Sequence, residues 1–313
     1  MKGNVASRLG LEQRAVVQPT KLLSDTARNV GLEIEVENVN PRILADELRG
    51  VWEVVKDGSL RPRDYSGEMR APGKGYAGKQ LVDSIKMLKS THALSEATFG
   101  WRCATHAHID MRDKTPAEIH LIIVAYSLIE PFLFAWDGTG RQESRFCMPW
   151  WVCSQDMLAA TRIVTEEDDH RFSNAISAFS KYTALNLAPL RELGTIEFRH
   201  LQSTIDEERL LTYINICLDI VKVSESVDNI RPIDMVLQYM NVGPQEFLRY
   251  WLSERSSAAL LDCVMDEIPL TQSIFDRVVN TAITLAELPT SVKLADPKVA
   301  DMTAVKILSQ EGA

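Results

Sequence analysis

Cysteine is scarce in this chain and poorly placed for cross-linking. The five residues, Cys103, Cys147, Cys153, Cys217 and Cys263, form no CxxC pair and leave an odd thiol. That argues against a disulfide framework and leads us to expect a reducing, cytoplasmic location. Positive charge is also in deficit: 34 Lys and Arg against 43 Asp and Glu give a formal net charge of −9. A nucleic-acid backbone requires a basic footprint, so nucleic acid is not an expected partner. A small polyanion would have to be held by metal ions or by a few well-placed arginines. Long apolar runs are nearly absent. The strongest, "IHLIIVAYSLIEPFLFAW", is interrupted by His120, Glu130 and Pro131. It falls short of the roughly 20 apolar residues of a membrane span, which predicts a buried core helix and no membrane association. The N-terminal stretch lacks the apolar segment of a secretory signal, and there is no internal repeat or low-complexity tract.

What is present suits a globular α+β protein. A chain of 313 residues, 45% hydrophobic and 25% charged, accommodates one large domain with a smaller appendage. Residues 1–25 read as a flexible polar extension. Residues 26–224 interleave strands with helices, and residues 225–313 read as a helical region. Strand patterns occur at "LEIEVE", "VWEVVKDGS", "GEMRAP", "WRCATHAHIDM", "KYTALNLAPL" and "LGTIEFRHL". Helical periodicity marks "GKQLVDSIKMLKS", with Leu81, Ile85 and Leu88 on one side. Thr115-Pro116 with Glu118 predicts a capping box that opens the apolar helix, and Thr204 with Glu207 predicts a second. In the C-terminal part, "IDMVLQYMN", "PQEFLRYWLSERSSAALLDCVMDE" and "TQSIFDRVVNTAITLAEL" read as helices separated by Pro and Gly turns.

Three strands share an uncommon pattern. In "VGLEIEVEN", Glu33, Glu35 and Glu37 alternate with Leu32, Ile34 and Val36, so the carboxylates crowd one face and the apolar residues take the other. "THAHID" sets His106, His108 and Asp110 against Ala107 and Ile109, and "TIEFRH" sets Thr195, Glu197 and Arg199 against Ile196 and Phe198. An antiparallel sheet with one wet face accounts for any one of these strands. Ordinary wet faces, however, favour Thr, Ser, Lys and Arg mixed in sign. Glu-Glu-Glu, His-His-Asp and Glu-Arg are oxygen and nitrogen donors for divalent cations, so these residues point to a metal face if the strands are neighbours. Asp57-Gly58-Ser59 is a turn signal, and Glu68 precedes the strand-ending Arg70-Ala71-Pro72.

In their order, "GLEIEVE", "WEVVKDGSL", "GEMRAP", "THAHIDM", "SRFC", "KYTALNL" and "GTIEFRHLQST" resemble the putative amidoligase family, one of the glutamine-synthetase-like carboxylate–amine ligases. The resemblance covers roughly residues 30–222. It implies a glutamine-synthetase-like curved antiparallel sheet with helices on its outer face. The concave face would bind ATP and two or more Mg²⁺ or Mn²⁺ ions. It implies metal ligation by Glu33, Glu35, Glu68, His106 and Glu197, catalytic roles for Arg199, Arg145 and His108, and nucleotide contacts from Arg199, Arg145 and Lys181. Carboxylate-bearing and amine-bearing substrates would be joined, in a chain that can form a homo-oligomer. Glu37 has no counterpart and is read as a solvated or supporting residue. Three positions depart from the family pattern: Thr105 replaces a glycine, Ala71 a serine, and Lys181 an arginine whose bidentate fork lysine lacks.

Three other functions use the same residues. A kinase of this fold would stop at phosphorylation and form no amide, a hydrolase using His106 and His108 would turn over without ATP, and an inactive scaffold would do neither. Trp150 and Trp151 read as a packed loop, Cys103 as core, and "TEEDDHRF" as a solvated acidic loop or a cover over the site.

Overall fold

A computed structural model describes residues 3–13, 20–73, 75–153, 160, 163, 166, 168–262 and 272–287. Six strands, β1 (Val30–Glu37), β2 (Glu53–Val55), β3 (Ser66–Arg70), β4 (Ala104–Asp110), β5 (Leu185–Asn186) and β6 (Thr195–Gln202), form one antiparallel sheet. Their order is β2-β3-β1-β4-β6-β5. This is the expected α+β architecture, and it makes neighbours of the three patterned strands. The fifth strand is shorter than its sequence pattern: Leu187 leaves the ladder and Pro189 lies in a 3₁₀ turn, where its missing N–H costs no sheet bond.

Period-two alternation divides the sheet into two faces. Leu32, Ile34, Val36, Ala107, Ile109, Ile196 and Phe198 are all at most 1% exposed and form the core face. Over it lie α3 (Gly78–Ser90), α4 (Pro116–Asp137) and α6 (Glu207–Lys222). Helix α4 starts at the predicted capping box, in which Thr115 and Glu118 satisfy each other's backbone N–H. It is apolar all round because it is enclosed on all sides. The apolar window that is long enough to cross a membrane is 94% buried inside the protein. Helix α6 starts where expected but is capped by Asp206, whose side chain accepts from the Arg209 N–H. Thr204 instead accepts from the Asp206 N–H, two residues too early to cap the helix.

Helices α1 (Val5–Leu9) and α5 (Asp169–Ser177) pack together at the N-terminal end, where Arg8 pairs with Asp169 and Val5 is fully buried. The stretch read as a flexible extension therefore supplies a docked helix. In the C-terminal region, α7 (Pro232–Val242), α8 (Pro244–Trp251), α9 (Glu254–Asp262) and α10 (Gln272–Ala286) follow one another. Helices α7, α9 and α10 pack on α4. The expected single helix from residue 244 onward is broken at Ser253, whose hydroxyl accepts from the Ser256 N–H and starts α9. The end of that expected helix, and the last twenty residues of the chain, lie outside the described residues.

Candidate functional site

The face opposite the core carries the ionisable residues, and pairing register decides which of them meet. Glu33 lies across from His106, His108 from Glu197, Glu197 from Asn186, and Glu35 from Glu68. Two groups of possible metal donors result, each with ligand atoms within 4.8 Å of one another: Glu33, His108 and Glu197, and Glu35, Asp57 and Glu68.

The first group is held from behind. The His108 Nδ1 lies 3.1 Å from the Thr195 hydroxyl, and its Nε2 faces Glu33 (3.6 Å) and Glu197 (3.9 Å). That Nε2 is buried and has no hydrogen-bond partner. Metal-binding histidines are oriented in this way, with one ring nitrogen anchored and the other free. His106 plays a different part: its Nδ1 lies 3.3 Å from Glu33 and 3.2 Å from Glu197, so it ties the two carboxylates together. Asn186 donates to Glu197 at 2.6 Å, and Arg199 lies 2.5 Å from its other oxygen. Burial opposes ionisation of Glu33, but the facing imidazoles of His106 and His108 outweigh it and hold the carboxyl well below the usual range. Glu197 is likewise lowered, against burial, by the two histidines and Arg199.

The second group is strained by its own charge. Burial and the neighbouring carboxylates raise Glu35 to about 8, although the Ala104 N–H donates to it at 2.7 Å. Burial and the charge of Glu33 raise Glu68 to about 7, with Arg70 as a partial counter-ion. Asp57 reaches this group from the turn after β2, where the Ser59 N–H donates to it at 2.6 Å. Glu37 supports the same loop by accepting the Arg61 N–H at 2.7 Å. A divalent cation would relieve the repulsion, and three carboxylates suit a hard ion such as Mg²⁺.

The basic residues separate into two sets. Arg199 reaches from Glu197 to the carbonyl of Phe146. Arg145 and Lys181 are exposed on a rim, stacked over Phe146 (4.8 Å) and Tyr182 (5.3 Å), and these rings pack on each other at 5.6 Å. Beside Glu33 and His108 a cleft of about 600 Å³ opens, with Arg70, Asp110, Arg112, Glu53 and Glu192 in its walls. The volume suits a small organic substrate.

The family model for a putative amidoligase enzyme matches residues 16–221, more than half of the chain. The chain belongs to the putative amidoligase family. Curated proteins provide no match. For an amidoligase, amide ligation is the general activity and carboxylates and amines the general substrates.

Several residues of this amidoligase site escaped the sequence. Asp57 looked like a turn residue and Asn186 like the interior of a strand. Thr195 could have been found, because it shares the alternation of Glu197 and Arg199. Trp150 is fully buried as the packed-loop expectation required, and its indole donates to the Leu185 carbonyl at 2.8 Å. Cys103 is core, its thiol raised to about 12 by burial and unsuited to nucleophilic attack. Part of the acidic loop "TEEDDHRF" lies outside the described residues. Its Asp168 caps α5.

Proposed function

We propose that this amidoligase is an ATP-dependent ligase joining a carboxylate to an amine through an acyl phosphate. The observation that carries the proposal is the His108 Nε2, buried without a hydrogen-bond partner and facing Glu33 and Glu197 beside a second, self-repelling carboxylate group. A carboxylate has no leaving group that an amine can displace at neutral pH. Transfer of the γ-phosphoryl group of ATP to its oxygen releases ADP and creates one. The amine nitrogen then bonds to the acyl carbon, inorganic phosphate leaves, and the nitrogen gives up a proton.

Phosphoryl transfer depends on positioning and charge neutralisation. Glu33, His108 and Glu197 would hold one divalent ion, and Glu35, Asp57 and Glu68 a second. Bound there, the ions supply Lewis-acid neutralisation of phosphate charge. Arg199, anchored on Glu197, extends a planar guanidinium toward the transferred group. His106 and Asn186 keep the carboxylates in place. The cleft beside Glu33 takes the organic substrates, and its exposed Glu53 and Glu192 favour an amine that arrives as an ammonium ion.

Thermal melts of wild type and Glu197→Ala with Mg²⁺, with ATP and with both test the site. A ligand at about 100 times its Kd adds roughly 2.7 kcal/mol of stability. Stabilisation of wild type by the pair alone, lost in the variant, is expected. No response in either protein would overturn the ATP assignment. ADP release tracked alongside amide formation then separates ligase from kinase, since a kinase yields ADP and no amide.

A further inference from the structure

Among the described residues four arginines are at least nine-tenths buried: Arg8, Arg28, Arg112 and Arg141. Three are neutralised in place: Arg28 pairs with Asp25 and Asp113, Arg112 with Asp110, and Arg8 with Asp169. Arg141 differs. It is 7% exposed, and it has no ion pair among the described residues. Its Nε has no hydrogen-bond partner, and the polar side chain it meets is the Cys147 thiol, itself raised to about 12 by burial and so neutral. A guanidinium is a full positive charge, so this is a buried cation without an ion-pair partner among the described residues. Such a charge is strongly disfavoured unless a ligand completes it.

The chain spends local structure to put it there. Gly138 and Gly140, both at positive φ (70° and 74°), end α4 and turn directly into the 3₁₀ segment Arg141–Glu143, which packs on β6. Asp137, just before this turn, accepts the Gln202 N–H at 2.8 Å; Gln202 lies across from Ala104, whose own N–H donates to Glu35 at 2.7 Å. Along β1 the cleft borders Gly31 to Glu33, whereas the turn that carries Arg141 meets the sheet at the Glu35 end, two residues further on. The arginine therefore serves the end of the site away from the cleft.

Resting on the ATP-dependent function above, we propose that Arg141 binds a phosphoryl oxyanion of the nucleotide over the Glu35–Asp57–Glu68 group. The exposed Arg145, by contrast, belongs to the rim. A buried, planar, two-pronged cation matches two phosphate oxygens. A phosphate also accepts the divalent ion that three adjacent carboxylates require, whereas a lone substrate carboxylate there would add to the repulsion.

The test titrates inorganic pyrophosphate with Mg²⁺ into the full chain, with succinate as a carboxylate control, following the melting temperature. Arg141→Met, close to arginine's volume without its charge, is expected to weaken pyrophosphate binding at least tenfold, while Arg249→Met, at an exposed arginine of α8 paired with Glu246, changes it less than threefold. Wild-type affinity in Arg141→Met overturns the inference, as does failure of wild type to bind pyrophosphate. So does a loss confined to succinate, which assigns the arginine to a substrate carboxylate. If Arg141→Met does not fold, Arg141→Lys decides: it keeps the charge but not the fork, so a severalfold loss supports the inference and unchanged affinity overturns it. Tight pyrophosphate binding that depends on Arg141, in a protein that forms no amide from any substrate pair, removes the ligase function and leaves the anion site standing.

Discussion

Two carboxylate groups sit side by side on one face of one sheet, and the pKa values of their glutamates shift in opposite directions. In the first, Glu33 and Glu197 are ionised because His106, His108 and Arg199 stand against them. In the second, Glu35 and Glu68 are pushed up to about 8 and about 7 because burial and the neighbouring carboxylates, Asp57 and Glu68 for the one and Glu33 and Asp57 for the other, outweigh the single bond from Ala104 and the partial help of Arg70. The first group carries its own counter-charges and is set before any ligand arrives. The second requires a cation from outside. A third buried carboxyl, Glu130 on the core side, shows what happens with no cation within reach. It is raised to about 8 by burial and lives on two hydrogen-bond donors, the Tyr126 hydroxyl and the Trp150 N–H. The lesson is that burial alone does not determine a carboxylate's role; the groups facing it do.

Breaking the first group is expected to have the largest effect. Glu33→Ala removes a donor and the residue that His106 and His108 both address, so ATP turnover should vanish while the circular-dichroism spectrum and melting curve stay folded. Retained turnover would remove Glu33 from the site. Next comes Arg199→Lys, which keeps the charge but loses the fork: kcat is expected to fall about 10²- to 10³-fold, the scale of a lost charge-stabilising donor, with nucleotide affinity nearly unchanged. An equal loss of both would show a binding role only.

In the second group, Asp57→Asn should weaken divalent-ion binding by about 10- to 100-fold, measured by calorimetry with Mn²⁺. The same change tests whether a residue brought in by a turn matters as much as those on strands. Unaltered affinity would reduce Asp57 to its turn.

The last comparison separates the core carboxyl from the site and reads stability instead of binding or turnover. Because the folded value of Glu130 lies above the ordinary 4.5, the folded state keeps a proton that the unfolded state has lost. The stability tied to that proton is complete below about pH 4.5, declines as pH rises, and is gone above about 8. Glu130→Gln cannot ionise and should flatten this slope. Between pH 5 and 8 the difference is at most about 4 kcal/mol, at 1.36 kcal/mol per unit, read from urea midpoints at the two pH values. Parallel slopes in wild type and variant would mean that Glu130 is ionised in the fold.

Much of this site was legible from the chain. The residues of β1, β4 and β6 announced themselves by alternation, because a strand's side chains point to opposite faces whatever the rest of the protein does. The motif order supplied Glu68 and the family. Helix α4 was visible as core from its uniform hydrophobicity, and its start from Thr115 and Glu118, since capping is settled within one turn of chain. The assignments that stayed out of reach concern relations between segments far apart. Which histidine faces the carboxylates through a free nitrogen was decided by the Thr195 hydroxyl, 87 residues away from His108. Asp57 and Asn186 became partners of Glu35 and Glu197 only when a turn and a two-residue strand were laid against the sheet. Arg141 and Arg145 stand four positions apart in one polar stretch and look interchangeable as text, yet packing against β6 buries one and leaves the other on the rim. Local periodicity and capping depend on neighbours along the chain and can be read from it. Register, burial and the sign of a pKa shift depend on what lies across the sheet, and only the folded structure brings those groups together.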